Sequence, residues 1–144
     1  LTYFPIQGAA EKVRLAFALG KIPFKDNRIA FKDWPALKPK TPYGQIPLLE
    51  IDERKPMAQS DAMLRYAGRL SAETDCKYKL YPRDLSRELE IEEALGYVSD
   101  IQRDFRPAVG MALLDPGLYG HDPAIKGTDK QKTAVKRARE TFMA

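Results

Sequence analysis

The stretch Tyr43-Gly44-Gln45-Ile46-Pro47-Leu48-Leu49-Glu50 carries the most local chemistry in the chain. A glycine gives a tight entry, a polar side chain follows, and an X-Pro bond then interrupts what reads as a strand. Proline removes a ladder donor, which demotes a strand to an edge or marks a bend. An X-Pro bond is also the one kind in which the cis form costs only about 0.5–1 kcal/mol. The residue before proline is pushed out of the helical region, so the N–H and C=O of Ile46 are left to face outward and pair with an extended ligand. That is the physics of a peptide-binding edge; a surface turn ahead of a strand is the competing account. A second polar group is Gln59-Ser60-Asp61, with Ser60 as a helix N-cap and Asp61 favoured in the first turn by the helix dipole. Cys76 is the only cysteine and there is one histidine. An internal disulfide, a Cys-X-X-Cys pair and a soft-ligand zinc site are therefore excluded, and a reducing compartment is the natural reading. Lys126, Lys130, Lys132, Lys136, Arg137 and Arg139 crowd one segment, as a solvated helix face or a phosphate-binding stripe.

The elements that must position these groups follow from pattern. With 144 residues the chain can form one ordinary domain or two small ones, and such a length buries roughly 68–70% of its unfolded surface. No apolar run approaches the ~20 residues of a membrane span, and Leu1-Thr2-Tyr3-Phe4 does not look like a signal peptide. The chain lacks an initiating Met and ends in an uncapped helical pattern, so both ends are expected to continue. The formal charge of +4 belongs to this stretch alone.

Residues 1–6 read as a strand. Residues 11–19 have helical spacing in Val13, Ala16, Phe17 and Leu19, with Gly20 as the stop. Residues 24–30 are a weaker strand, diluted by Asp26 and Asn27. Residues 31–42 are broken by Pro35, Pro39 and Pro42 into a loop with at most short helical turns, and they hold Trp34, the only tryptophan. Residues 46–51 and 56–58, joined by a polar turn at 52–55, form a hairpin. A helix follows from Ser60, with Ala62, Met63, Tyr66, Ala67 and Leu70 on its apolar face. The order βαβ, which should be parallel and right-handed, then ββα gives an α/β thioredoxin-like N-terminal domain over residues 1–71, with four strands. Residues 72–84 are polar and aperiodic, a linker. Residues 85–114 read as a helix that Pro107 should kink or break. After a glycine- and proline-rich loop, Thr128 caps a last helix. Two helices bury their faces poorly alone, so 85–144 is expected to be an all-α C-terminal domain that is truncated.

At this point the residues match something specific. Tyr3-Phe4-Pro5, the Trp34 and Lys38 pair, Gly44-Gln45-Ile46-Pro47 and Gln59-Ser60 before a helix resemble the cytosolic glutathione transferases. The tyrosine-type group fits best, and Trp34-Pro35-Ala36-Leu37-Lys38 is sigma-like. The resemblance implies that Tyr3 donates a hydrogen bond to the glutathione sulfur. It implies that Ile46 pairs its backbone with the cysteinyl part of glutathione across a cis bond to Pro47. Gln59 and Ser60 would hold the γ-glutamyl end at the helix N-terminus, Trp34 and Lys38 the glycyl end, and Phe4 and Gln45 would complete the contacts. Asp100 matches the position from which a second subunit reaches the γ-glutamyl amine, and Tyr43 the aromatic key that enters the neighbouring subunit of a homodimer. Implied with these are a cytoplasmic detoxification enzyme, glutathione as cosubstrate, a small electrophile, and no metal, nucleic acid or membrane span. The reaction would be addition of the thiolate, or a glutathione-dependent isomerisation.

The chain departs from the family in one place. Many members carry Arg-Gly-Arg after the tyrosine, whereas this chain has Gln7-Gly8-Ala9, with Arg14 further on. That departure keeps open a weak or inactive transferase-like structural or binding subunit of a larger assembly. Met111, Leu114 and Tyr119 are candidates for the electrophile pocket.

Overall fold

A computed structural model describes residues 1–52, 54–113, 116 and 120–143, with the backbone alone for 108, 111 and 113. Its contacts divide the chain into Leu1–Glu88 and Leu89–Ala144.

In the first unit, strand β1 (Thr2–Tyr3) pairs in parallel with strand β2 (Asn27–Arg28), Thr2 opposite Asn27 and Tyr3 opposite Arg28. Between them lies helix α1 (Gly8–Leu19), which buries Ala10, Val13, Ala16 and Phe17. Those spacings of three and four turn one face of the helix inward. Helix α2 (Trp34–Leu37) is a single short turn, flanked by 3-10 turns at Phe31–Asp33, Lys38–Lys40 and Pro42–Gly44. The proline-broken loop thus holds only short helical pieces, as its pattern predicts. Helix α3 (Ser60–Leu70) buries Met63 and Ala67 in one core with Tyr3, Val13, Phe17 and Leu49. Each large apolar side chain buried in this way contributes roughly 1.5–3 kcal/mol.

The strands are much shorter than the sequence pattern. Residues 1–6 and 24–30 each reduce to a paired dipeptide. Pro5 and Pro23 lack the donors that would lengthen the ladder, and the carboxylate of Asp26 is drawn to Arg14 and Arg28. The expected hairpin survives as isolated antiparallel bridges, Thr2 with Leu48 and Leu49 with Met57. Reciprocal N–H···O=C bonds of 2.8 and 3.0 Å hold the first, and two of 2.9 Å the second. Pro47 and Pro56 flank these pairs and stop their extension. Glu53, in the expected turn, lies outside the described residues.

The segment 72–84, expected to be a linker, buries Cys76 and Tyr81. The Cys76 thiol lies 3.0 Å from the carbonyls of Leu19 and of Tyr78. Tyr81 packs so closely on α3 that a Cβ at Gly68 would stand 2.9 Å from its Cβ.

Helix α4 (Leu85–Leu113) begins in the first unit and continues into the second. The helix is not broken at Pro107, which lies inside it as a residue without an amide donor. Helix α5 (Asp129–Met143) sets Phe142 against Phe105, ring centroids 5.0 Å apart. Thr128 directly precedes α5, but its hydroxyl turns back to the Ile125 carbonyl at 2.5 Å. The hydroxyl oxygen keeps its lone pairs for the helix start. In the basic run, Lys132 pairs with Asp129 at 2.8 Å and Lys136 with Glu140 at 3.8 Å, along an exposed helix. Leu114, Tyr119 and the side chain of Met111 lie outside the described residues.

Candidate functional site

The paired strands β1 and β2 point their carboxyl ends the same way, and in open α/β sheets that end is where ligands sit. Followed one residue along, the Thr2–Leu48 bridge sets Tyr3 beside Pro47. The Leu49–Met57 bridge brings the segment that leads into α3 alongside the residues that follow Pro47. Tyr3, the Ile46–Pro47 bond and the start of α3 are thereby gathered at one end of the sheet.

Tyr3 is buried, and its Oη accepts a hydrogen bond from the Ala9 amide at 3.3 Å, in the first turn of α1. The phenol oxygen is thus held by a backbone donor, while its own hydrogen has no acceptor among the described residues. Gly8 makes the approach feasible. It sits at φ +47, and a Cβ there would lie 2.7 Å from Oη.

Beneath this turn lies Arg14, which is buried. Its guanidinium donates to the carbonyls of Ile6 at 2.8 Å, Phe4 at 3.3 Å and Gln7 at 3.4 Å. It also meets Glu11 and Asp26, each at 3.1 Å. It stands 5.8 Å from the Tyr3 ring centroid. One planar fork thereby fastens the whole connection between β1 and α1, a geometry lysine cannot reproduce. Burial works to raise the Asp26 carboxyl, but hydrogen bonds from Arg28 and then Arg14 outweigh it and hold that carboxyl below its ordinary range. The signal that could have found Arg14 is its place between Val13 and Ala16, on the face of α1 that turns inward.

Phe4 is half-buried, next to Tyr3. Phe31 stacks on it with centroids 4.4 Å apart and planes 19° apart, and Trp34 meets it edge-on at 6.0 Å. Lys38 is exposed and its stem lies against Gly44, whose Cβ would be 3.4 Å from the lysine Cε. The loop between them is tied by the Thr41 amide to the Lys38 carbonyl at 3.2 Å and the Gly44 amide to the Thr41 carbonyl at 3.3 Å. Gln45 is exposed, Ile46 half-buried against the core and Pro47 buried; the Ile46–Pro47 peptide is cis.

Gln59 holds φ +78, a region that non-glycine residues rarely adopt. It occupies the N-cap position of α3, and Ser60 is the first helical residue. The expectation of Ser60 as the cap is corrected by one residue, because Gln59 takes the non-helical dihedrals and its carbonyl accepts from Met63 at 3.1 Å. No side chain caps this end, so the first-turn amides remain open donors. Asp61 forms an ion pair with Lys12 on α1, which fixes the helix start. Among the described residues, the side chains of Trp34, Lys38, Gln45, Gln59 and Ser60 have no hydrogen-bond partner.

Two predicted site residues stand apart from this cluster. Tyr43 is 78% exposed, at φ +59. Asp100 lies in the second unit, exposed on α4, where it accepts from Arg103 at 2.9 Å. Among the described residues, no group of three or more His, Cys, Asp or Glu side chains could hold a metal ion, and no helix is long and apolar enough to cross a membrane.

Residues 9–70 match the family model described as glutathione S-transferase, N-terminal domain. Probable glutathione S-transferase 7 of Caenorhabditis elegans is 52% identical over 90% of this chain and 61% of its own length. Glutathione S-transferase 1 of Ascaris suum is 41% identical over 74% of this chain and 48% of its own length. The crystal structure of the glutathione S-transferase from Ascaris lumbricoides superposes with a TM-score of 0.67 at 34% identity, covering 94% of this chain and 64% of that one. The chain thus spans about half to two-thirds of the length of these relatives.

Proposed function

The chain belongs to the glutathione S-transferase family, and from that premise we propose that it binds glutathione and activates the thiol for addition to a small electrophile. The observation that carries this reading is at Tyr3. Its oxygen already accepts from Ala9, so its own hydrogen is free to donate to a ligand. A free thiol has a pKa near 8.5 and is mostly protonated at neutral pH. A donor to the thiolate form lowers that pKa, at about 1.4 kcal/mol per unit. The thiol proton leaves to solvent and the sulfur lone pair forms the new S–C bond. The electrophile then loses its leaving group or takes up a proton. A glutathione-dependent isomerisation would begin from the same thiolate.

The rim of unpartnered groups supplies the rest. The backbone of Ile46 would pair with the cysteinyl part. The open amides of α3, with Gln59 and Ser60, would receive the γ-glutamyl carboxylate. Lys38 would meet the glycyl carboxylate as a point charge beside Trp34, with Gln45 and Phe4 completing the contacts. In the same proposal residues 1–71 are the glutathione-binding domain, 72–84 the connection and 85–144 part of the helical domain. The protein would act as a cytoplasmic homodimer in detoxification, with Tyr43 and Asp100 serving a second subunit; isologous dimers are the commonest soluble oligomers.

The rival reading, an inactive transferase-like subunit of a larger assembly, draws on Ala9, where many family members carry arginine. A conjugation assay on wild type and Tyr3→Phe separates the two. Loss of one donor to a developing charge should lower kcat/KM about 10²-fold. Wild type and variant equally inert, with glutathione unbound, would favour the inactive subunit.

A further inference from the structure

Phe31 is 54% exposed, yet its ring lies against Phe4 in a near-parallel stack. Phe4 in turn tilts on Tyr3 with centroids 5.5 Å apart. The three rings form a continuous series, Tyr3 to Phe4 to Phe31, and Trp34 meets Phe4 edge-on. The backbone fixes this arrangement. The Ile29 amide donates to the Tyr3 carbonyl at 2.9 Å, which ties the chain to β1 two residues before Phe31. Ala30 is extended, and the Asp33 amide closes the following turn on the Ala30 carbonyl at 3.0 Å. An isolated exposed phenylalanine is ordinary; this one is stacked on the residue that follows Tyr3 and leaves a flat aromatic face exposed.

Resting on the glutathione reading, we propose that Phe31 is a specificity-determining residue, the outer face of an aromatic shelf that receives planar, conjugated substituents on the glutathione sulfur. The outer rings of the shelf, Phe4 and Phe31, offer π-faces and carry no hydrogen-bonding group. A planar, electron-poor ring gains an offset stack there, whereas a flexible alkyl chain gains area alone. Selection between planar and aliphatic electrophiles would then be built into the first unit.

The test uses calorimetric titration of the chain with glutathione, S-methylglutathione, S-hexylglutathione and S-(2,4-dinitrophenyl)glutathione. Phe31→Leu should weaken the dinitrophenyl conjugate about three- to tenfold, the range expected of one aromatic pair. The other three ligands should stay within about twofold, and Phe31→Tyr should keep the wild-type order. An equal loss for the hexyl and dinitrophenyl conjugates, or no loss for either, would overturn the shelf while leaving glutathione binding intact. If glutathione and its S-methyl form fail to bind the wild-type chain, the parent reading falls and the shelf with it.

Discussion

Two sets of polar groups meet at the carboxyl end of the small sheet, and they are treated in opposite ways. Beneath Tyr3, Arg14 is buried and spends its donors on Phe4, Ile6, Gln7, Glu11 and Asp26. Around the rim, Lys38, Gln45 and Gln59 are exposed, and with Trp34 and Ser60 their side chains have no hydrogen-bond partner among the described residues. The first set is satisfied from within and can only organise. The second is available, and its groups are of the kinds that carboxylates and amides bind. A fully satisfied buried network specifies one geometry, whereas unpaired exposed groups cost little until a ligand arrives.

The contrast is broken most severely at Arg14. Arg14→Met should remove about 3 kcal/mol from the unfolding free energy in urea, because three carbonyls and two carboxylates lose a shared donor. Arg14→Lys should recover only part of it. A loss under 1 kcal/mol would mean that the network does not organise the turn. Lys38→Ala should do the reverse. Its stability should stay within about 0.5 kcal/mol of wild type, while glutathione affinity falls about tenfold. Ser60→Ala sharpens the comparison further. As a first helical residue without a cap bond, it should cost little stability and weaken glutathione about threefold. A loss of ~1 kcal/mol in stability would mean that it caps the helix after all.

The smallest effect is the pH dependence of Asp26. Its folded carboxyl is held below the ordinary range, so its contribution to stability is fully present above the unfolded pKa near 3.9. That contribution is lost as pH falls through the folded value. Asp26→Asn should be less stable than wild type at pH 7, and the gap should close toward pH 2. A gap that persists unchanged into acid would assign the effect to packing.

What the sequence made legible follows from its punctuation. The helical spacing of Val13, Ala16 and Phe17 and of Met63 and Ala67 marks α1 and α3, and Pro47 marks the edge. The polar residues of the rim stand at the spacings of a known family. Strand length was illegible, because Pro5, Pro23, Pro47 and Pro56 cut the ladders while the flanking apolar residues still look like strands. Arg14 was legible only in its place on the inward face of α1. An arginine on a helix reads as solvated, and only the folded turn brings the carbonyls of Phe4, Ile6 and Gln7 to it. Phe31 sits in an aperiodic loop next to Lys32, where no spacing announces a stack. The shift of the α3 cap from Ser60 to Gln59 depends on one positive φ, which residue type does not encode.

The measurement that tests the central claim most directly is a glutathione titration followed by fluorescence of Trp34. It is the only tryptophan and stands among the unpartnered groups, so the signal has one source. Saturable quenching whose midpoint rises about tenfold in Lys38→Ala and about threefold in Ser60→Ala is the predicted result. No response up to several millimolar glutathione, on the order of a K_d weaker than −4 kcal/mol of binding, with the chain folded by circular dichroism, would contradict it.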